Sequence, residues 1–306
     1  MRHLITALAL GLLLLPRVGE AYVRTSTIET GTKIRWMYTN CVFIRINAAG
    51  SDDVKDGSDM TACKRAMSNW RNATKHCSYM QFHLMPNSAT AVPGFDKCGL
   101  NENTIYFEEK SWGDSVKPTN KGYDRSALAL TRISFIEKEG HEQDGRVVDA
   151  DIEFNGVHFK FATNGDKNKA DIENTLTHEL GHLLGMDHPC SDAATKAKGG
   201  TPKDHTGKAI PACGSPKVTK LIEDSTMYNF ADDGETKKRS PEKDDISGVC
   251  AIYPLASDPG ECHQTELECG ENGCSVAASA PRSHLGWLLT PLLLVGLLAL
   301  ARRRTR

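Results

Sequence analysis

Four residues with the chemistry of a metal site lie within the eleven-residue stretch HELGHLLGMDH, residues 178–188. On a helix, His178 and His182 are about one turn apart, so both imidazoles leave the same face and can reach one ion. Glu179 follows His178 directly and leaves the helix about 100° further round, so we do not expect it to be a ligand. Its carboxylate is instead suited to holding a water molecule and accepting its proton.

The third histidine requires a reversal of the chain after the helix. Gly185 can adopt the left-handed conformation that ends a helix, and the turn would return His188 to the same ion. Three histidine ligands leave the fourth position of a tetrahedral zinc ion open, as in catalytic zinc sites. Zinc lowers the pKa of water that it binds to about 7, so hydroxide is available at neutral pH. The stretch therefore predicts one catalytic Zn²⁺ with Glu179 as the catalytic base.

The spacing of these residues resembles the HExxHxxGxxH signature of the metzincin metalloproteases, which also have a methionine turn downstream. The stretch DSTMYNF contains a matching methionine, Met227, which the resemblance places beneath the zinc ligands, followed by Tyr228. Within the metzincins, residues 36–255 are most similar to the matrixins, because ALALT at 127–131 and DADIEFN at 149–155 resemble matrixin strands. The resemblance implies a metalloendopeptidase with a peptide or protein substrate.

The matrixin resemblance also implies roles outside the zinc motif. Asp151 and Asn155 correspond to calcium ligands, and oxygen donors of this kind suit Ca²⁺; plain solvated polar groups on a strand are the alternative. Glu153 stands where matrixins have a histidine of a second, structural zinc, so we expect that zinc to be absent. An edge strand would pair with the substrate, and it contains Ala127, Leu128, Ala129 and Leu130.

Two other interpretations remain open. The chain could be a non-hydrolytic zinc-bound surface or adhesion module, although a purely structural zinc would not need Glu179. It could also be a metzincin closer to the serralysins, since Pro189 follows His188 as in that group. Their tyrosine lies two residues past the methionine, however, whereas Tyr228 is the residue directly after it. The astacins have glutamate where this chain has Pro189.

Strand and helix patterns around the motif predict an α/β fold. The helix 171–184 carries the zinc motif; the helix 58–76 begins at a Ser58 or Asp59 cap, and the helix 240–253 begins with Ser240 and Pro241. The order β-α-β-β-β-β-α-α predicts a metzincin-like or matrixin-like domain, residues 22–255, with a twisted five-stranded sheet and three helices. The strand-like stretches, rich in β-branched and aromatic residues, are 36–47, 79–86, 103–109, 126–136 and 146–155.

The composition argues against some classes of protein, and the cysteines indicate an oxidising environment. The 306 residues are 39% hydrophobic and 25% charged with a net charge of −2, which fits a globular protein and gives no reason to expect a nucleic-acid partner. None of the ten cysteines forms a CxxC pair, so disulfides in an exported chain are favoured over a thiolate zinc site. The local pairs that we predict are Cys77–Cys98, Cys190–Cys213 and Cys262–Cys269.

Both ends of the chain have the composition of targeting segments. Residues 1–21 predict a signal peptide that leaves Tyr22 first, with an N-terminal anchor as the alternative. Residues 256–284 predict a linker rich in Cys, Gly, Ser and Ala, and residues 285–306 a hydrophobic helix with an arginine cluster. The GCS stretch and this helix resemble the sorting tail of myxobacterial surface proteins. That resemblance implies an extracellular, surface-associated protein, sorting or membrane partners and processing or attachment at Cys274; a permanent anchor is the alternative.

Overall fold

The computed structural model describes residues 21–97, 99–112, 123–192, 202–265, 267–270 and 273–275. The chain divides into two compact units, residues 1–266 and residues 267–306. The larger unit contains a five-stranded sheet and the helices that pack against it. It therefore confirms a mixed α/β fold.

The sheet of the larger unit is mostly parallel. After a short strand β1 (Val23–Arg24), its strands are β2 (Cys41–Ile46), β3 (Gln81–Leu84), β4 (Asn103–Glu108), β5 (Ala129–Phe135) and β6 (Val147–Asn155). They lie in the order β3-β2-β4-β6-β5, and only β5, at one edge, runs antiparallel to its neighbour. All five predicted strands are present, each somewhat shorter than its sequence pattern.

Strand β6 is buried on both faces, although its sequence alternates between acidic and apolar residues. Ala150, Ile152 and Phe154 belong to the hydrophobic core. Asp151 and Glu153 are almost fully buried on the opposite face, where Gly94 N and the Tyr123 hydroxyl donate hydrogen bonds to them. An inner strand of a parallel sheet is commonly covered on both faces, and here one of the covers is polar.

Four α-helices are present in the described part of the chain: α1 (Ser58–Thr74), α2 (Ile172–Leu183), α3 (Lys220–Asp224) and α4 (Lys243–Ile252). The three longer helices match the predicted ones, whereas the short α3 is not predicted. Helix α1 packs on α2, and Trp70 Nε1 donates a hydrogen bond of 2.7 Å to Thr177 O. This contact fixes the helix that carries the histidines against the core.

Two predicted helix starts are wrong. The N-cap of α1 is Gly57, because the Asp59 carboxylate is turned inward and accepts from Ser51 N. Helix α4 begins at Lys243 rather than at Ser240 and Pro241. Its N-cap is Glu242, which forms a capping box with Asp245.

Short two-stranded ribbons complete the described structure. Strand β7 (Phe161–Ala162) pairs with β8 (Ala170–Asp171), and β1 pairs with β9 (Met186–Asp187). In the smaller unit, β10 (Glu268–Gly270) and β11 (Gly273–Ser275) form an antiparallel ribbon in which Cys269 and Cys274 are backbone partners.

Three disulfides join described cysteines of the larger unit. The predicted Cys190–Cys213 bond is confirmed. The predicted partners of Cys77 and Cys262 are wrong, because folding brings distant segments to both: Cys77 bonds Cys250 of α4, and Cys262 bonds Cys41 of β2. Disulfides of this number are typical of proteins in an oxidising, extracellular environment.

Much of the predicted targeting segments lies outside the described residues. This is true of residues 1–20 of the signal peptide, of residues 276–284 of the linker and of the whole hydrophobic tail. Among the helices that are described, none combines the length and the apolar composition needed to cross a bilayer.

Candidate metal centre

Helix α2 begins and packs in a way that its sequence explains. The Asp171 side chain caps the helix by accepting a hydrogen bond of 2.9 Å from Asn174 N. Leu176, Leu180 and Leu183 recur at helical spacing and are fully buried in the core. The opposite side of the helix is therefore left to present polar side chains.

The end of α2 is held firmly before the chain reverses. Trp36 Nε1 and the Tyr253 hydroxyl donate to the last carbonyls, Leu183 O at 2.9 Å and Leu184 O at 3.0 Å. Gly185 follows with φ of 93°, and a Cβ at this position would lie 2.9 Å from Ile34 O. Glycine is thus required here for both conformation and space, which confirms the predicted left-handed turn.

The reversal brings His178, His182 and His188 together, and we call them the histidine trio. The Nε2 atom of His178 lies 3.2 Å from that of His182 and 3.2 Å from that of His188, and the remaining pair is 3.1 Å apart. Two nitrogen ligands of a tetrahedral zinc ion, each about 2.05 Å from the metal, lie about 3.3 Å apart. The trio therefore has the spacing needed to hold one metal ion.

The other ring nitrogen, Nδ1, of each trio member meets a hydrogen-bond acceptor. An acceptor there keeps Nδ1 protonated and leaves the lone pair on Nε2 free for a metal. Desolvation, followed by the neighbouring His182 ring, lowers the pKa of His178 well below its usual value, which favours the neutral ligand form. The acceptors are Thr226 O for His178 at 2.7 Å, Met186 O for His182 at 2.9 Å and Asp192 Oδ2 for His188 at 2.7 Å.

Glu179 is buried beside the trio and is held by the sheet edge. Its Oε2 accepts a hydrogen bond of 2.7 Å from the Thr131 hydroxyl of β5, which also lies 3.0 Å from Glu179 O. Burial raises the pKa of Glu179 to about 7, against the opposing effect of the Thr131 hydrogen bond. A carboxyl with this pKa can accept and release a proton near neutral pH.

Met227 packs directly against α2. It is 1% exposed, and its Sδ would lie 2.2 Å from a Cβ built on Gly181, between the two helical histidines. Asp245 of α4 holds the turn that contains Thr226 and Met227. Its carboxylate accepts hydrogen bonds from Thr226 N at 2.7 Å and from Met227 N at 3.2 Å. The same turn supplies Thr226 O to His178.

Strand β5 forms one edge of the sheet next to the trio, and no further strand pairs with it among the described residues. Asn155 N donates to Leu128 O, and this register turns the backbone N–H and C=O of Ala129 and Thr131 away from β6. The predicted substrate strand, residues 127–131, therefore includes edge positions, although its first two residues precede the strand proper.

The calcium candidates Asp151 and Asn155 are hydrogen-bonded to protein groups. The Asp151 carboxylate accepts from Thr104 N at 2.9 Å and Gly94 N at 2.8 Å, and it forms an ion pair with Arg132. Asn155 Oδ1 accepts from the backbone of the neighbouring His158. Among described His, Cys, Asp and Glu residues, the trio is the cluster of three or more with metal-site geometry. Calcium binding at Asp151 and Asn155 stays a prediction.

Several residues around the trio have no sequence motif of their own. Asp192 lies four positions after His188. This spacing is the only feature of the sequence that could have indicated a role for Asp192. Lys238 is 2% exposed and its Nζ donates to Tyr228 O at 2.7 Å, while the Tyr228 ring packs edge-on against Phe230. A buried lysine cannot be recognised without the fold that covers it.

Comparisons with known proteins return no match for this chain among family models or among curated proteins.

Proposed function

We propose that the protein is an extracellular zinc-dependent endopeptidase of the metzincin type, similar to the matrixins. The convergence of the three Nε2 atoms beside a buried carboxylate carries the proposal. A mixed α/β fold with an antiparallel edge strand next to this site is consistent with it. The three disulfides support an extracellular setting.

The donor set favours zinc as the metal. Three neutral imidazole nitrogens at tetrahedral spacing suit zinc and leave one position for a substrate or water. When bound, zinc would supply a Lewis acid that polarises the scissile carbonyl and lowers the pKa of water. Met227 would support the trio from below, since it fills the space against Gly181.

Glu179 is the general base of the proposed reaction. Its carboxylate takes a proton from the attacking water and later gives it to the nitrogen of the leaving amine. The hydrogen bond from Thr131 keeps the carboxylate oriented during both transfers. The proton never has to leave the buried site.

The substrate would bind as an additional strand along the outer edge of β5. An extended peptide can exchange backbone hydrogen bonds with the N–H and C=O of Ala129 and with the C=O of Thr131, which face away from β6, while the Thr131 N–H serves Glu179. Because the Thr131 side chain reaches Glu179, a peptide on this edge would pass close to the base. The sheet would thus deliver the scissile bond to the trio.

Zinc loading and a Glu179→Gln variant test the proposal in the full-length protein. Elemental analysis should find one zinc per chain, and a chelator should abolish cleavage of a peptide library that added zinc then restores. Glu179→Gln should retain zinc and lose roughly 10²–10⁴-fold in kcat, because the proton acceptor is removed while the ligands remain. Cleavage by this variant at the parent rate would contradict the role of Glu179. Zinc binding by the parent without any cleavage would favour the non-hydrolytic module.

The hydrophobic tail is proposed, on its sequence alone, to engage sorting or membrane machinery. Replacing the proposed attachment residue, Cys274→Ser, should leave peptidase activity intact while changing the mature mass or the surface retention. Cell fractionation with mass measurement of the C-terminus checks this. An unchanged mass and location would exclude Cys274 from processing.

A further inference from the structure

The histidine trio is not held symmetrically. Backbone carbonyls accept from Nδ1 of His178 and His182, whereas the carboxylate of Asp192 accepts from Nδ1 of His188 at 2.7 Å. A carbonyl oxygen carries only a partial charge, and a carboxylate carries a full one. Charge-assisted hydrogen bonds are roughly twice as strong as neutral ones. The third ligand therefore receives a stronger partner than the other two.

His188 also has the greatest need of such a partner. His178 and His182 are carried by α2, whose backbone fixes both Cα positions. His188 comes after the turn and lies outside the helix. The orientation of its ring therefore depends on the contacts that the ring itself makes. Its side chain is 18% exposed and that of Asp192 is 19% exposed, so solvent only partly screens the pair.

Asp192 is itself fixed by its surroundings. Asn229 Nδ2 donates to the same Oδ2 atom at 3.4 Å. Two residues earlier, Cys190 is bonded to Cys213, and Ser191 exchanges backbone hydrogen bonds of 2.8 and 3.0 Å with Pro211 and Cys213. A carboxylate held in this way can fix the orientation of a neighbouring ring.

We propose that Asp192 is a positioning residue that orients His188 and raises the metal affinity of the trio. A carboxylate on Nδ1 makes Nε2 a better electron donor to a metal and fixes the plane of the ring, and both effects strengthen the bond to a metal. The proposal rests on the metal site proposed above, but it does not depend on peptide hydrolysis.

Metal affinity measured by competition with a chromophoric chelator tests the role of Asp192. Asp192→Asn keeps a possible acceptor and removes the charge, and it should weaken zinc binding by roughly 10–100-fold. Asp192→Ala should weaken it at least as much, and Asp192→Glu should recover part of the affinity. Asp204→Asn is the matched control, since Asp204 lies in the same disulfide-closed loop and its carboxylate accepts hydrogen bonds from the nearby Thr206 and Lys208.

A spectrum of the cobalt-substituted protein separates positioning from a general structural role. The visible absorption bands of bound Co²⁺ should shift in Asp192→Asn and stay unchanged in Asp204→Asn, because only the former alters the ligand field at His188. Thermal unfolding of the metal-free proteins should be similar for the parent and both variants.

Three results would overturn the proposal. Equal zinc affinity and equal cobalt spectra in the parent and Asp192→Asn would show that the carboxylate does not act on the metal. A weaker affinity matched by an equal loss of metal-free stability would assign Asp192 a structural role only. A parent protein that binds no metal would overturn both this inference and the proposed site. Tight, Asp192-dependent binding without peptide cleavage would support the inference while contradicting the proposed peptidase.

Discussion

Gly181 and Met227 are in such close contact that the helix has no room for a side chain between its two histidines. A Cβ at Gly181 would lie 2.2 Å from Met227 Sδ and 3.3 Å from Cζ2 of the buried Trp70. Gly181 is therefore the point where the turn that carries Met227 supports α2. The sequence pattern alone gives this glycine no role.

Gly181→Ala should destabilise the protein and weaken metal binding. Alanine gains up to about 1 kcal/mol in helix propensity, but overpacking in a full core costs about 1–3 kcal/mol. We expect a net loss of about 1 kcal/mol in the free energy of unfolding, measured by denaturant titration. Zinc affinity should fall as well, because displacement of Met227 moves Thr226 O, the partner of His178.

A double-mutant cycle checks that Met227 is the cause. Met227→Ala alone should cost about 2–5 kcal/mol through the void that it leaves. In the double variant the new methyl at Gly181 occupies part of that void. The double variant should therefore lose less unfolding free energy than the sum of the losses of the two single variants. Strict additivity would mean that the two residues do not interact.

Thr131→Val should lower kcat with little change in KM. Valine keeps the shape and the strand preference of threonine but removes the hydroxyl that donates to Glu179 Oε2. We expect a loss of several-fold to about 10-fold in kcat with unchanged zinc content, measured by steady-state kinetics on a peptide substrate. Thr131→Ser keeps the hydroxyl and should stay near the parent. A serine variant as impaired as the valine variant would indicate that strand packing, and not the hydrogen bond, matters.

Asp149→Asn should stabilise the protein increasingly as the pH rises above about 4. Burial, with the charge of Asp151 as a second cause, raises the pKa of Asp149, and its Oδ1 has no hydrogen-bond partner in the described part of the chain. The folded state therefore keeps this proton after the unfolded chain has lost it near pH 4. The stabilising contribution of Asp149 is full below that pH and falls until the folded carboxyl ionises.

The difference in unfolding free energy between Asp149→Asn and the parent measures this effect. This difference should grow to a few kcal/mol between pH 4 and neutral pH, since each pKa unit between the folded and unfolded states is worth about 1.4 kcal/mol. Asp52→Asn is the control, since the Asp52 side chain is 71% exposed, and its curve should follow that of the parent. A pH-independent difference for Asp149→Asn would mean that the two states ionise alike.

Removing the Cys190–Cys213 bond should weaken metal binding more than removing a distant disulfide. Its two cysteines are 23 positions apart, and alanine at both should cost roughly 3 kcal/mol of stability through the entropy of the unfolded chain. The segment after His188 is loosened at the same time, so zinc affinity should fall about 10-fold. Replacing Cys77 and Cys250 by alanine should lower stability without changing the zinc affinity of the folded protein, as chelator competition would show.

Local patterns made most of the architecture predictable. Apolar and β-branched stretches identify the five strands, and helical spacing with Gly185 identifies the trio, because one helix and one turn suffice to place those ligands. The edge position of β5 follows from the resemblance alone, since a strand pattern does not give its place in a sheet.

Long-range contacts account for what the sequence could not give. Cys41 and Cys262 meet across 221 positions, and no spacing rule selects that pair over a local one. Asp245 appears as one of two adjacent acids at a helix start, yet only the fold turns it toward the methionine turn. Lys238 and Asp149 are charged residues that a sequence assigns to the surface, and polar partners or covering loops bury them instead.

The ribbon of β1 and β9 has a consequence for the order of folding. Thr25 N donates to Gly185 O at 2.9 Å, and the Thr25 hydroxyl donates at 3.0 Å to the O atom of Met186, which is 161 positions further along the chain. The segment that leads into His188 is thus hydrogen-bonded to strand β1, and closing a loop costs entropy that grows slowly with its length. Contacts this distant in sequence form slowly. Uptake of the proposed metal should therefore be among the last steps of maturation, after strand β1 has docked, and a nascent chain should hold only two of the three histidines in place until then.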